Sequence, residues 1–96
     1  ELNYVIKWLV PNAQKNDMEP ILLFLGPNGV SEEHDPHDGE EFGYVLSGSI
    51  SLHLGGRKYK VKKGESFYFK STTVHSIKNP NKSQAIVLWI SCPPSF

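Results

Sequence analysis

Apolar and polar residues alternate with a period near two along most of this 96-residue chain, in short runs broken by Gly, Pro, Asn and Ser. The alternation predicts strands over residues 4–10, 20–25, 41–46, 50–54, 58–62, 66–70, 74–78 and 84–90. In the third run Phe42, Tyr44 and Leu46 share one face, while Glu41, Gly43 and Val45 share the other, so both faces carry apolar residues. Ser47-Gly48 and Gly55-Gly56 supply reversals. Lys58, Lys60 and Lys62 alternate with Tyr59 and Val61, the pattern of a strand whose solvated charges guard against edge-to-edge aggregation. No run carries a convincing helical period. So many strands in so short a chain predict an all-β closed barrel or jelly roll, with no linker and a single domain over 1–96.

Composition narrows the function. Ten basic and ten acidic residues give a net charge of zero, without the basic excess by which a domain grips nucleic acid on its own. Cys92 is the sole cysteine, so no internal disulfide forms; this fits a reducing, cytoplasmic setting and a small buried residue beside Ile90. The longest apolar runs, Ile21 to Leu25 and Ala85 to Ile90, are too short to span a bilayer as a helix, and no membrane partner is expected. The chain begins at Glu1 without an initiator Met and shows no signal peptide. The expectation is the C-terminal part of a longer protein.

One chemical constellation stands out. His37, Glu41 and His75 lie in segments that a barrel can bring together, and two imidazoles with a carboxylate form a metal site that leaves coordination positions open. The acid-rich run from Glu32 to Glu41 reads as a solvated loop or as an acidic pocket mouth. His53 alternates away from Ile50, Leu52 and Leu54 and stays outside the site, and Asn79 reads as a turn stabiliser. There is no nucleophile elbow, phosphate loop or Cys-x-x-Cys pair.

The spacings resemble those of the cupin superfamily. Its first motif, Gly, five residues, His-x-His, three or four residues, Glu, six residues, Gly, is matched by Gly29, Asp35-Pro36-His37, Glu41 and Gly48. Its second is matched by Gly64, His75 and Asn79, with Lys70 and Thr72 where Pro and Gly would stand. A narrower resemblance, to the C-terminal cupin domains of Xre-type helix-turn-helix regulators, rests on Gly39 to Gly48 (GEEFGYVLSG), Gly64 to Phe69 (GESFYF), Met18-Glu19-Pro20 and Pro93-Pro94-Ser95-Phe96.

The resemblance implies a double-stranded β-helix and a divalent metal (Zn, Fe or Mn) on His37, Glu41 and His75, with Asp35 as a fourth ligand in the slot usually held by His. His34 is adjacent to that slot. It also implies a small-molecule effector bound in the barrel, with DNA reached only through an N-terminal helix-turn-helix domain absent from this chain. A homodimer is expected, built partly from Tyr4, Ile6 and Trp8. The alternative is a metal-dependent enzyme, an oxygenase, epoxidase or isomerase using the same trio.

Overall fold

The computed structural model describes residues 2–96 and holds eight strands: β1 (Tyr4–Trp8), β2 (Glu19–Leu25), β3 (Glu40–Ser47), β4 (Ser49–Leu54), β5 (Arg57–Lys62), β6 (Ser66–Lys70), β7 (His75–Lys78) and β8 (Ala85–Cys92). A 3₁₀ turn, Ala13–Lys15, is the only helical element among the described residues. All pairings are antiparallel, in a five-stranded sheet ordered β1-β2-β8-β3-β6 and a three-stranded sheet ordered β5-β4-β7. The two pack face to face as a jelly roll whose sheets do not close into one barrel.

The inward rows follow from the period of two. Ile21, Leu23 and Leu25 of β2 meet Val87, Trp89 and Ala85 of β8, and Val45, Phe67, Phe69, Ile50, Leu52, Val61 and Ile77 complete one core. Gly43 is needed in that core because a Cβ there would lie 2.0 Å from the Phe67 ring, which fills the space beside Trp89. Gly48 takes φ +74° to reverse β3 into β4, where an L side chain is strained. At one end the inward row turns polar: Glu19, Ser91 and Glu41 lie side by side on β2, β8 and β3, with Phe69 next on β6. That polar row positions the site.

Two expectations change. Tyr4 and Ile6 pair with Leu25 and Leu23, so they face inward and pack against the core, while Trp8 is 47% exposed and its indole donates to Glu19 Oε2 at 2.9 Å. Cys92 is half-buried, one residue past the inward-facing Ser91 and therefore on the outer face.

Asn79 is fully buried and stitches the two ends of the jelly roll together. Its Nδ2 donates to the carbonyls of Leu25, Gly26 and Ser83 at 3.1, 3.1 and 2.8 Å, and its Oδ1 accepts from the Asn81 amide at 3.0 Å. Asn79→Ala is therefore expected to cost about 3 kcal/mol in urea unfolding, since it strands several buried backbone groups at once.

Candidate metal centre

His75 opens β7 and is held inside by an isolated antiparallel bridge to His34, with backbone N to O distances of 2.9 and 3.0 Å in the two directions. Residues directly opposite across such a bridge present side chains to the same face, so the His34 ring lies 5.3 Å from that of His75. His37 is fixed by its amide, which donates to the Ser71 carbonyl at 2.8 Å, and the Ser71 amide donates in turn to the Gly39 carbonyl at 3.0 Å. Its ring lies 5.3 Å from His75. One candidate donor atom from each of His34, His37 and His75 falls within 4.8 Å of the others.

Glu41 sits beneath them, 1% exposed. Its Oε2 accepts from Ser71 Oγ at 2.8 Å and lies 2.9 Å from His75 Nε2 and 3.3 Å from His37 Nε2. Neither imidazole contact has the direction of a hydrogen bond. His37 Nε2, His75 Nε2 and Glu41 Oε1 are thus buried polar atoms without hydrogen-bond partners. Native interiors rarely leave such atoms unpaired, and three at one place indicate a position for an ion or ligand.

The residues fit a divalent cation. Two donors each at about 2.1 Å from one ion are separated by about 3.0 Å at right angles and about 3.4 Å in a tetrahedron, and the 2.9 and 3.3 Å separations at Glu41 lie at those values. The far nitrogens are engaged as a metal site requires: His75 Nδ1 lies 2.9 Å from the Thr73 carbonyl and His37 Nδ1 lies 3.1 Å from that of Asp38. Donation from Nδ1 to these carbonyls leaves the Nε2 lone pairs free for coordination.

The motif-based set is thereby altered in one member. His37, Glu41 and His75 converge, but Asp35 is exposed, and its neighbour His34 joins the cluster. The His34–His75 bridge sends His34 inward and the next residue of an extended chain outward. His53 lies outside the cluster on β4, where its backbone pairs with Lys58 and Ser76.

Aromatic rings enclose the donors. Phe69 lies 5.0 Å from His75 and stacks on Phe67, while Trp89 stacks with His34 at 6.1 Å. Phe96 meets Trp89 edge-on at 4.8 Å. Its position depends on Glu19, which motif spacing did not assign to the site: the buried carboxylate accepts from the Ser95 and Phe96 amides at 3.0 and 2.8 Å. The pairing of Met18-Glu19-Pro20 with Pro93-Pro94-Ser95-Phe96 thus has a physical cause. An open groove of about 430 Å³ lined by Pro36, His37, Asp38, Ser71 and Thr72 adjoins the cluster at His37.

With this geometry the comparisons with known proteins are unambiguous about family. The cupin domain family (Cupin_2) matches residues 21–91. The chain belongs to the cupin family. It is 31% identical over 87 residues to an uncharacterized protein of Methanocaldococcus jannaschii, covering 90% of the chain and 70% of that protein. It is 30% identical over 89 residues to the HTH-type transcriptional regulator PuuR of Escherichia coli, covering 92% of the chain and 48% of the regulator. This cupin therefore spans about half the length of that regulator. Among solved structures, the cupin domain of an XRE family transcriptional regulator from Enterobacter cloacae superposes with a TM-score of 0.83 at 20% identity, covering 96% of the chain and 98% of that domain.

Burial pushes the Glu41 carboxyl up, but His75, Ser71 and His37 outweigh it and hold it below the usual carboxylate range. Burial pushes His75 down, but Glu41 and the Thr73 carbonyl outweigh it and raise the imidazole above its ordinary 6.5. For His34, burial and then His75 leave the ring below 6.5. A coordinating imidazole must be unprotonated, so protons compete with metal at His75 from above pH 6.5 downward. Zinc retention measured from pH 8 to 5.5 is expected to fall steadily across that range. His75→Ala abolishes retention and keeps the β-rich circular dichroism, whereas Asp35→Ala retains zinc like the unaltered protein.

Proposed function

We propose that this cupin is the sensor domain of a helix-turn-helix transcriptional regulator, holding a divalent metal (Zn, Fe or Mn) at the cluster of His34, His37 and His75, with Glu41 against the latter two, and a small-molecule effector beside it. The observation that carries the reading is the set of three unpartnered buried donor atoms gathered at one place, on His37, His75 and Glu41. A metal bound there would supply Lewis-acid attraction for an acceptor atom of the effector, at coordination positions the protein leaves open. The protein's own part is to fix the donors through Ser71, Thr73 and Asp38 and to surround them with the rings of Phe69, Phe67 and Trp89. Trp89 Nε1 is a further buried donor without a partner, and a cation cannot satisfy an N–H. That supports a ligand carrying acceptor atoms.

In this reading the whole protein acts in the cytoplasm as a homodimer, and its DNA is reached through a preceding helix-turn-helix domain. The match to PuuR, over nearly all of this chain and about half of that regulator, supports it. Effector binding must then favour one of two states of the dimer, because equal affinity for both shifts nothing. A metal-dependent enzyme is the second reading, favoured by the solvent-open groove at His37, whose side chain is 27% exposed.

The test is a thermal-shift screen of metal-loaded protein against small acids, amines and sugars, followed by analysis of each hit after prolonged incubation. A sensor is stabilised by its ligand, by about 2.7 kcal/mol at a hundredfold excess over Kd, and returns it unchanged; the stabilisation vanishes in His75→Ala. Turnover of the hit establishes the enzyme reading instead. A reading frame beginning near residue 1, with no DNA-binding segment upstream, removes the regulator.

A further inference from the structure

Strands β5 and β6 follow one another across a short turn, yet they do not pair. The turn is tied to β3 instead: the Gly64 amide donates to the Val45 carbonyl at 2.9 Å, and the Val45 amide donates to the Glu65 carbonyl at 3.0 Å. β6 therefore joins the five-stranded sheet beside β3, while β5 forms the edge of the other sheet. Sheets packed face to face stand about 10 Å apart, so the jelly roll stays open along this seam.

The inward rows show the consequence. Ile77, Leu52 and Tyr59 stand opposite one another across β7, β4 and β5, and directly opposed residues share a face. Ile77 and Leu52 are buried, but Tyr59, on the same inner face, is 44% exposed. The neighbouring row of His75, Leu54 and Arg57 opens in the same way, with Leu54 half-buried and Arg57 exposed. Between β5 and β6 lies a cleft of about 450 Å³ walled by Leu52, Leu54, Tyr59, Val61 and Phe67, with Lys60 also on its lining. It shares no residue with the groove at His37.

We propose that this seam is a second binding site, for an organic anion with an apolar body, such as an aromatic or medium-chain acid. The volume suits a small molecule, and walls that are mainly apolar with a few polar groups are those of a ligand pocket. The charged groups decide the sign of the ligand's head. Lys60 lines the cleft, and Arg57 stands on the same inner face as Leu54 and Tyr59. No carboxylate lines it, and the two acids closest along the bordering strands are engaged: Glu65 Oε1 accepts from the Lys62 amide at 2.8 Å, and Glu40 Oε1 accepts from the Tyr68 hydroxyl at 2.7 Å. An anionic head meets opposite charge here and a cationic head meets like charge. A peptide adding as a further strand is disfavoured, because Lys58, Lys60 and Lys62 along the free edge of β5 oppose strand pairing.

The proposal does not rest on the sensor reading, because it requires neither metal nor a DNA-binding domain. The probe is anilinonaphthalene sulfonate, compared with phenylnaphthylamine, the same apolar body without the charge. The sulfonate is expected to bind saturably, one per chain, about fivefold more tightly than the neutral probe, and equally in zinc-loaded and chelator-treated protein. Tyr59→Glu removes an apolar wall and adds a like charge, and weakens the sulfonate by at least about tenfold. Arg57→Gln combined with Lys60→Gln abolishes the preference for the charged probe. Phe42→Ser, at a comparably exposed aromatic position on the other sheet, leaves binding unchanged. Should Tyr59→Glu fail to fold, amide chemical shifts of the unaltered protein titrated with the sulfonate replace it: Leu54, Tyr59, Val61 and Phe67 move, and Phe42 and His37 do not. Absence of saturable binding, binding that requires zinc, indifference to Tyr59→Glu, equal sensitivity to Phe42→Ser, or shifts centred on Phe42 or His37 overturns the site. Equal affinity for the two probes, or a preference that survives the double replacement, overturns the anionic class.

Discussion

A carboxylate has been taken out of water between two sheets, and much of the architecture around it follows from keeping Glu41 satisfied. Burying an ion without partners is prohibitive, so Glu41 needs donors or cations on every accessible side. Ser71 supplies one, which requires the β6–β7 loop to lie against the loop before β3; the His37–Ser71 and Ser71–Gly39 backbone bonds hold it there. His75 Nε2 flanks the second side at 2.9 Å, which requires β7 to begin at that level, and the His34 bridge fixes its height. The spacing between the two sequence motifs is thus the chain length needed to bring these loops together over one carboxylate. Glu41 Oε1 remains without a partner, the feature on which the proposed ion or ligand rests.

A second buried carboxylate shows the contrast. Glu19 is fully buried too, but Trp8 Nε1 and the Ser95 and Phe96 amides occupy its oxygens, and no imidazole approaches it. A carboxylate satisfied by backbone amides is a structural clamp; one left with a free oxygen beside two free imidazole nitrogens is a candidate binding site. Glu19 acts on the centre only through Phe96, whose ring its clamp sets against Trp89.

The strands were legible because the period of two runs almost unbroken, and the eight predicted segments overlap the eight observed. His37, Glu41 and His75 were picked out by their match to the family's motifs, and the fold brings the three side chains together. His34 was not, because the position equivalent to the first motif ligand falls on Asp35, and only the bridge to His75 decides which of two neighbours turns inward. Equally hidden was the orientation of β1. Tyr4, Ile6 and Trp8 form an apolar stripe that suits a core or a partner; the pairing with Leu25 and Leu23 turns Tyr4 and Ile6 against the core, while Trp8, opposite Ile21, stays 47% exposed. The apolar residues on both faces of the run from Glu41 were visible in the sequence, yet which face lies inside depends on the register with β6 and β8.

The same alternation that hid the faces ties the centre to the outer side of the five-stranded sheet. Glu41 points to the centre and Phe42, the next residue, points outward; on β8, Trp89 points inward between Leu88 and Ile90 on the outside. A strand is stiff across one residue, so a shift of β3 or β8 that accommodates a ligand against Glu41 or Trp89 displaces the outer row by a comparable distance. Packed interfaces respond to such shifts by choosing between discrete arrangements, since close packing leaves little continuous compliance. Coupling of this kind is reciprocal: whatever the proposed homodimer contributes to ligand affinity, the ligand contributes equally to dimer formation.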